Sequence, residues 1–102
     1  MTYVSTVRVR VKPGAGRQLG QLFEEHFVPV RRALQQQGDV LSMVLVRGAE
    51  PGEEYELITR WASKEAHDRN ENSPAEAEFV QAAAAHVAGP PSEFSGTPVA
   101  EL

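Results

Sequence analysis

His67, Asn70 and Trp61 are the residues whose types and spacing best fit proton chemistry beside an aromatic ligand. An imidazole exchanges a proton near neutral pH, a carboxamide orients an oxygen, and an indole supplies a flat apolar wall. His67 and Asn70 are three positions apart, so on a helix they share a face, with Trp61 beneath them at the end of the preceding strand. His26 follows Phe23 by three positions on a helical apolar stripe and is expected to point at the sheet. His86 shares a helical face with Phe79. With Tyr55 and Leu57 on the strand that ends at Trp61, these residues form a candidate apolar cleft containing a few polar groups, the usual composition of a small-molecule site. The plainer alternative is that each histidine is a hydrogen-bonded boundary residue and that Trp61 supplies much of a small core.

Other chemistries fit less well. The three histidines lie on three separate helical segments without HxxxH or HxxE spacing, so no metal site is expected. Ser63 and Ser73 read as helix caps, Ser42 lies in a strand, and no G-x-S-x-G elbow is present. Gly14-Ala15-Gly16 is too short for a dinucleotide fingerprint, so neither flavin nor nicotinamide is indicated.

Composition narrows the partners. At 102 residues the chain is read as one domain, 1–102, with a modest core that an oligomeric interface would extend. A net charge of −4 argues against nucleic acid, since only Arg8, Arg10 and Lys12 approach a basic stripe. The absence of cysteine excludes disulfides and thiolate catalysis. No apolar leader or membrane-length run is read, and a cytoplasmic protein is the expectation.

The elements that must position these residues follow from periodicity. Val4 to Val11 alternates as a strand, Val7, Val9 and Val11 on one face and Thr6, Arg8 and Arg10 on the other. After Pro13-Gly14-Ala15-Gly16 comes a helix with Leu19, Leu22, Phe23, Phe27, Val30 and Leu34 at helical spacing, which Pro29 should kink. Gly38-Asp39 ends it. Val40 to Arg47 is a second strand, Gly48 to Gly52 a loop, and Glu53 to Trp61 a third strand with Tyr55, Leu57, Thr59 and Trp61 on one face. Ser63 caps a short helix from Lys64 to about Glu71, which a break at Asn72-Ser73 follows. Ser73-Pro74-Ala75-Glu76 has capping-box spacing and starts another helix, which Gly89-Pro90-Pro91 stops. Ser92 to Leu102 is expected as a last strand at an edge or with a bulge, given Gly96 and Pro98. The order βαββαβ predicts an α+β, ferredoxin-like fold: a four-stranded antiparallel sheet with the helices on one face. Arg8 and Arg10 should then lie near Glu54, Glu56 and Arg60 on the bare face, which is either solvated or covered by a second copy.

These residues also resemble a family. The element order, Val11-Lys12-Pro13-Gly14, Leu57-Ile58-Thr59-Arg60-Trp61, Ser63-Lys64-Glu65-Ala66 and Asn72-Ser73-Pro74 are similar to the antibiotic biosynthesis monooxygenase domain from about Val4 to Val99. The resemblance implies a dimeric α/β barrel, with two sheets facing each other in a homodimer. Its heme-degrading branch carries an Asn, a Trp and an iron-ligating His at positions that hold Val7, Asn70, and Phe79 or Val80 here, so heme chemistry is not expected. Its cofactor-free branch places a Trp at the end of the third strand, a Tyr six residues on, an Asn three beyond that, and an Asn four before the Trp. Trp61 and Asn70 match, His67 stands in place of the Tyr, and Leu57 replaces the upstream Asn. The implied function is oxidation of an aromatic polyketide-type or quinol substrate by dioxygen without metal or organic cofactor. In that scheme His67 is the acid/base, Trp61 a wall and Asn70 an oxygen-orienting group, with His26, Phe23, Tyr55, Leu57, Phe79 and His86 binding substrate. The rival readings are a polyketide cyclase or isomerase, and a non-catalytic binding module.

Overall fold

The alternating N-terminal segment forms β1 (Tyr3–Arg10), and the Val- and Leu-rich segments form β2 (Val40–Arg47) and β3 (Glu54–Trp61), in a computed structural model that describes residues 1–49, 53–71 and 73–102. A short β4 (Ser92–Gly96) completes an antiparallel sheet in the order β2-β3-β1-β4, the ferredoxin-like order expected from the sequence. The last strand is shorter than predicted. Pro98 has no N–H to donate and Gly96 holds a strand poorly, so pairing ends at Gly96. Beyond it, the Glu101 carboxylate accepts hydrogen bonds from Thr2 at 2.6 Å and Arg60 at 2.7 Å. Glu50, Pro51 and Gly52 of the expected loop, and Asn72 of the expected break, lie outside the described residues.

The first predicted helix is three pieces: α1 (Gly16–Leu22), a π-helical turn (Phe23–Phe27) and α2 (Val28–Gln36). Pro29 explains the division. It lacks the N–H that would bond the Glu25 carbonyl, and its ring crowds that same carbonyl, so the chain widens just before it. Ser63 starts α3 (Lys64–Asn70), its Oγ accepting the Ala66 N–H at 3.0 Å. Ser73 starts α4 (Pro74–Ala83) in the same way through the Glu76 N–H at 3.3 Å, and a 3₁₀ turn, Ala84–His86, replaces the end of the expected helix.

One sheet face carries the core. Val9, Val11 and Leu57 pack under Leu19, Phe23, Phe27, Phe79 and Ala83, and a second cluster joins Val40 and Trp61 to Ala66 of α3. Strand register fixes the opposite face. Arg8 stands opposite Glu56, with 3.4 Å between their charged groups, and Arg10 stands opposite Glu54. Ile58 sits between Thr6 and Val44, and Thr6 pairs onward with Phe94. Val44 is 53% exposed and Phe94 77% exposed, so this face presents large apolar side chains beside its charges.

Candidate active site

Between the covered sheet face and the helices lies a cavity of about 580 Å³, within the roughly 300–1,000 Å³ typical of small-molecule sites. Val7, Val9 and Leu57 form its floor, Phe23, Phe27, Phe79 and Ala83 its apolar walls, and Trp61, His67 and Arg31 line a side that carries nitrogen groups. Trp61 is the last residue of β3, opposite both Tyr3 and Val40, and only 1% exposed. Its indole N–H donates to Ser5 Oγ at 2.9 Å, which fixes the ring plane against the cavity.

The Ser63 cap places His67 on the first turns of α3, and burial of Ala66 holds that helix down on Trp61. The His67 ring meets Trp61 edge-on, centroids 5.4 Å apart at 85°, and Tyr3 at 5.1 Å. Its Nδ1 lies 2.9 Å from Asp68 Oδ1. Asp68 also accepts from Lys64 Nζ at 2.7 Å, and this bond, then the one from His67, holds its carboxyl below the ordinary carboxylate range. The same partner pushes the Lys64 ammonium up. Asp68 is therefore a carboxylate at neutral pH and can only accept. A neutral His67 must carry its proton on Nδ1, leaving the Nε2 lone pair free on a ring that lines the cavity.

Arg31 is the residue that periodicity concealed. It is 7% exposed, lines the cavity, and its guanidinium carbon stands 4.5 Å from the Trp61 ring centroid and 4.7 Å from that of Phe27. One terminal nitrogen donates to Glu76 of α4. Burial lowers the guanidinium's pKa, and Glu76 opposes that shift. The signal was present in the sequence as a basic residue four positions after Phe27, on the buried stripe of the helix. Asp68, adjacent to a candidate imidazole, and Ser5, two positions after Tyr3 on the covered face, were equally visible and equally unused.

The structure separates the other candidates. Phe23, Leu57 and Phe79 line the cavity with Trp61 and His67. Asn70 does not: its carboxamide nitrogen donates to Asp39 at 3.2 Å and to the Ala66 carbonyl at 2.8 Å, so it ties α3 to the turn before β2. Tyr55 is also displaced from the cavity, packing on Phe23 while its hydroxyl donates to the Gly16 carbonyl at 3.1 Å. His26 is exposed rather than turned to the sheet, because the wide π turn advances fewer degrees per residue and carries it off the Phe23 stripe. His86 is half-buried outside the cavity, in the 3₁₀ turn that ends α4 early, with its carbonyl accepting the Lys12 N–H at 2.9 Å. Phe79 and Val80, one of which stands where the resemblance implies an iron ligand, both line the cavity, and neither side chain carries a donor atom for iron. His67, Asp68 and Glu71 each bring a ligand atom within 4.8 Å of the others, but Asp68 is already engaged by Lys64 and His67, and two of the three are exposed.

The family model described as antibiotic biosynthesis monooxygenase matches residues 2–82. Comparison with curated proteins returns no match. Among solved structures, Rv0793 from Mycobacterium tuberculosis superposes with a TM-score of 0.81 at 22% identity, covering 99% of this chain and 98% of that one. SnoaB from Streptomyces nogalater, a cofactor-independent oxygenase solved as an asparagine-to-alanine mutant, gives 0.78 at 18%, covering 99% and 96%. NE2512 from Nitrosomonas europaea, whose function is unknown, gives 0.76 at 14%, covering 99% and 92%. At these identities the superpositions speak for the fold alone.

Proposed function

Because the chain belongs to the antibiotic biosynthesis monooxygenase family, we propose that it is a cytoplasmic, homodimeric, cofactor-independent oxygenase whose substrate is an aromatic polyketide-type anthrone or a quinol. The observation that carries this reading is an imidazole held in one tautomer by Asp68, on the wall of a largely apolar, aromatic-lined cavity. SnoaB, of like fold, supports the cofactor-free part of it.

The chemistry asks the protein for positioning and proton transfer. A three-ring substrate lies against Trp61, and His67 Nε2 takes a proton from its acidic methylene. The resulting anion gives one electron to dioxygen. Substrate radical and superoxide then combine, forming a C–O bond and a peroxide anion that takes the proton back from the imidazolium. Loss of the second methylene proton, with breakage of the O–O bond, expels hydroxide and leaves a carbonyl. One O₂ is consumed, the methylene becomes C=O, and proton and hydroxide leave as water. Asp68 stabilises the imidazolium between the two proton transfers.

The exposed apolar side chains beside the Arg8–Glu56 pair support a dimer formed through the open sheet face. Oxygen uptake with a panel of anthrones and hydroquinones tests the activity. Stoichiometric O₂ consumption with ketone formation is the expected result. Ring closure or isomerisation that proceeds equally well without oxygen replaces the oxygenase reading by that of a cyclase or isomerase, and binding without turnover leaves a ligand-binding module.

A further inference from the structure

Arg31 is left with hydrogen-bonding capacity that nothing among the described residues uses. Its Nε and one terminal nitrogen are buried without a hydrogen-bond partner, while the other terminal nitrogen is committed to Glu76. A guanidinium does not shed its proton in a protein, so this is a permanent cation with unanswered donors in an apolar wall. Each such orphan is costly, because a buried donor without an acceptor has given up its hydration for nothing. The flanking Phe27 and Trp61 rings return part of that through cation–π attraction. They give the nitrogens no acceptor lone pair. A methionine would fill the same space without the cost, so packing alone does not account for an arginine here.

We propose that Arg31 is the anion receptor of this cavity: its unpartnered guanidinium N–H groups take the ionised phenol or enol oxygen of the ligand. The proposal rests on the reading of the cavity as the substrate site and narrows it. The ligand is an aromatic compound that binds as its oxyanion, and a neutral aromatic of the same shape binds more weakly. It also supplies what the reaction needs beside His67, since a base that removes a proton inside an apolar cavity must leave its anion next to a positive charge. Arg31 stacks on the same Trp61 ring that His67 meets edge-on, so base and cation flank one aromatic wall. The other titratable side chains lining the cavity are Glu71 and Glu93, both exposed, and Glu76, which is paired with Arg31. Arg31 is the cavity's one permanent cation among the described residues.

The test uses 2-hydroxyanthraquinone, whose absorption moves to longer wavelength when its phenol ionises, titrated free and bound to the intact protein. The bound dye should ionise at least about one pH unit lower than the free dye, meaning that its anion binds about tenfold tighter than its neutral form. Arg31→Met should remove that difference, and Arg31→Lys should keep part of it. Should Arg31→Met fail to fold, Glu76→Gln gives the complementary arm: without the competing carboxylate the bound dye should ionise lower still. An unshifted or raised dye pKa in the wild type, an unchanged depression in Arg31→Met, or a raised dye pKa in Glu76→Gln overturns the proposal. The activity is judged separately. A depressed dye pKa with no oxygen uptake from any anthrone keeps the receptor and removes the oxygenase, whereas normal uptake with an unshifted dye does the reverse.

Discussion

Replacing His67 by phenylalanine separates proton transfer from packing, because the new ring keeps most of the old ring's contacts. His67 touches Tyr3 at 5.1 Å and Trp61 at 5.4 Å between centroids, and a phenyl ring satisfies both as a tilted and an edge-on neighbour. What is lost is the Nδ1 bond to Asp68, a residue that is exposed and still has Lys64. An exposed interaction of this kind contributes about 1 kcal/mol or less, so the variant should unfold within about 1 kcal/mol of the wild type. Turnover should respond on a different scale. Loss of a positioned general base typically lowers a rate by about 10² to 10⁴, which leaves His67→Phe at no more than about 1% of wild-type oxygen uptake, with KM changed by less than about threefold. The assay is initial oxygen consumption on an anthrone that the wild type oxidises, with unfolding in urea followed on the same preparations. Asp68→Asn belongs in the same series. It keeps a neighbour for Nδ1 but no longer demands the proton there, so turnover should fall by less than in the phenylalanine variant. Wild-type-like uptake by folded His67→Phe refutes the acid/base assignment and returns His67 to the packing around Trp61.

Three further outcomes follow from the same geometry. Glu76→Gln leaves the buried Arg31 cation without its counter-charge, and urea unfolding should show a loss of about 2–3 kcal/mol, below the full range for a buried pair because the Glu76 side chain is 16% exposed; a loss under about 0.5 kcal/mol would show the pair to be energetically idle. The Asp68 carboxyl is depressed in the folded protein, so its favourable contribution is present above the ordinary carboxylate pKa and disappears only as pH falls through the lower folded value; carboxyl-carbon NMR should place its midpoint below 3.8, and a midpoint at or above that value shows that the bonds from Lys64 and His67 do not hold the carboxylate in solution. On the open sheet face, Phe94→Asp should shift sedimentation from dimer to monomer at micromolar concentration, whereas a wild type that already sediments as a monomer removes the sheet-to-sheet interface.

The strand pattern of this chain was legible because the sheet has one covered face. Tyr55, Leu57, Thr59 and Trp61 alternate cleanly with Glu54, Glu56, Ile58 and Arg60, and a period of two permits one register facing the core. The caps were legible for a similarly local reason, since Ser63 and Ser73 act on N–H groups three residues ahead. Site residues depend on the third dimension and were recovered unevenly. Trp61 and His67 come together because a strand end and a capped helix are adjacent in sequence as well as in space. Asn70 shares a helix with His67, yet its amide is taken by Asp39, from a turn that no helical periodicity mentions. Arg31 and Glu76 are 45 positions apart, and the packing of α4 on α1 and the π turn is what brings them within reach of each other.

The π turn connects these outcomes to a sequence feature that looked merely disruptive. An α-helix advances about 100° per residue, so residues four apart drift by about 40° and residues eight apart by about 80°. Phe23, Phe27 and Arg31 are spaced by four, and in an unbroken α-helix Arg31 would have wound well off the line that Phe23 sets. A wider turn between Phe23 and Phe27 takes up the extra residue, and all three side chains stay buried on the sheet-facing side while His26 is carried out to solvent. Pro29 makes that turn favourable, because the α-helical bond it cannot form is the one the widening removes. A proline that reads as a kink thus sets which of two basic side chains, His26 or Arg31, reaches the cavity, and it selects the one that pH does not discharge.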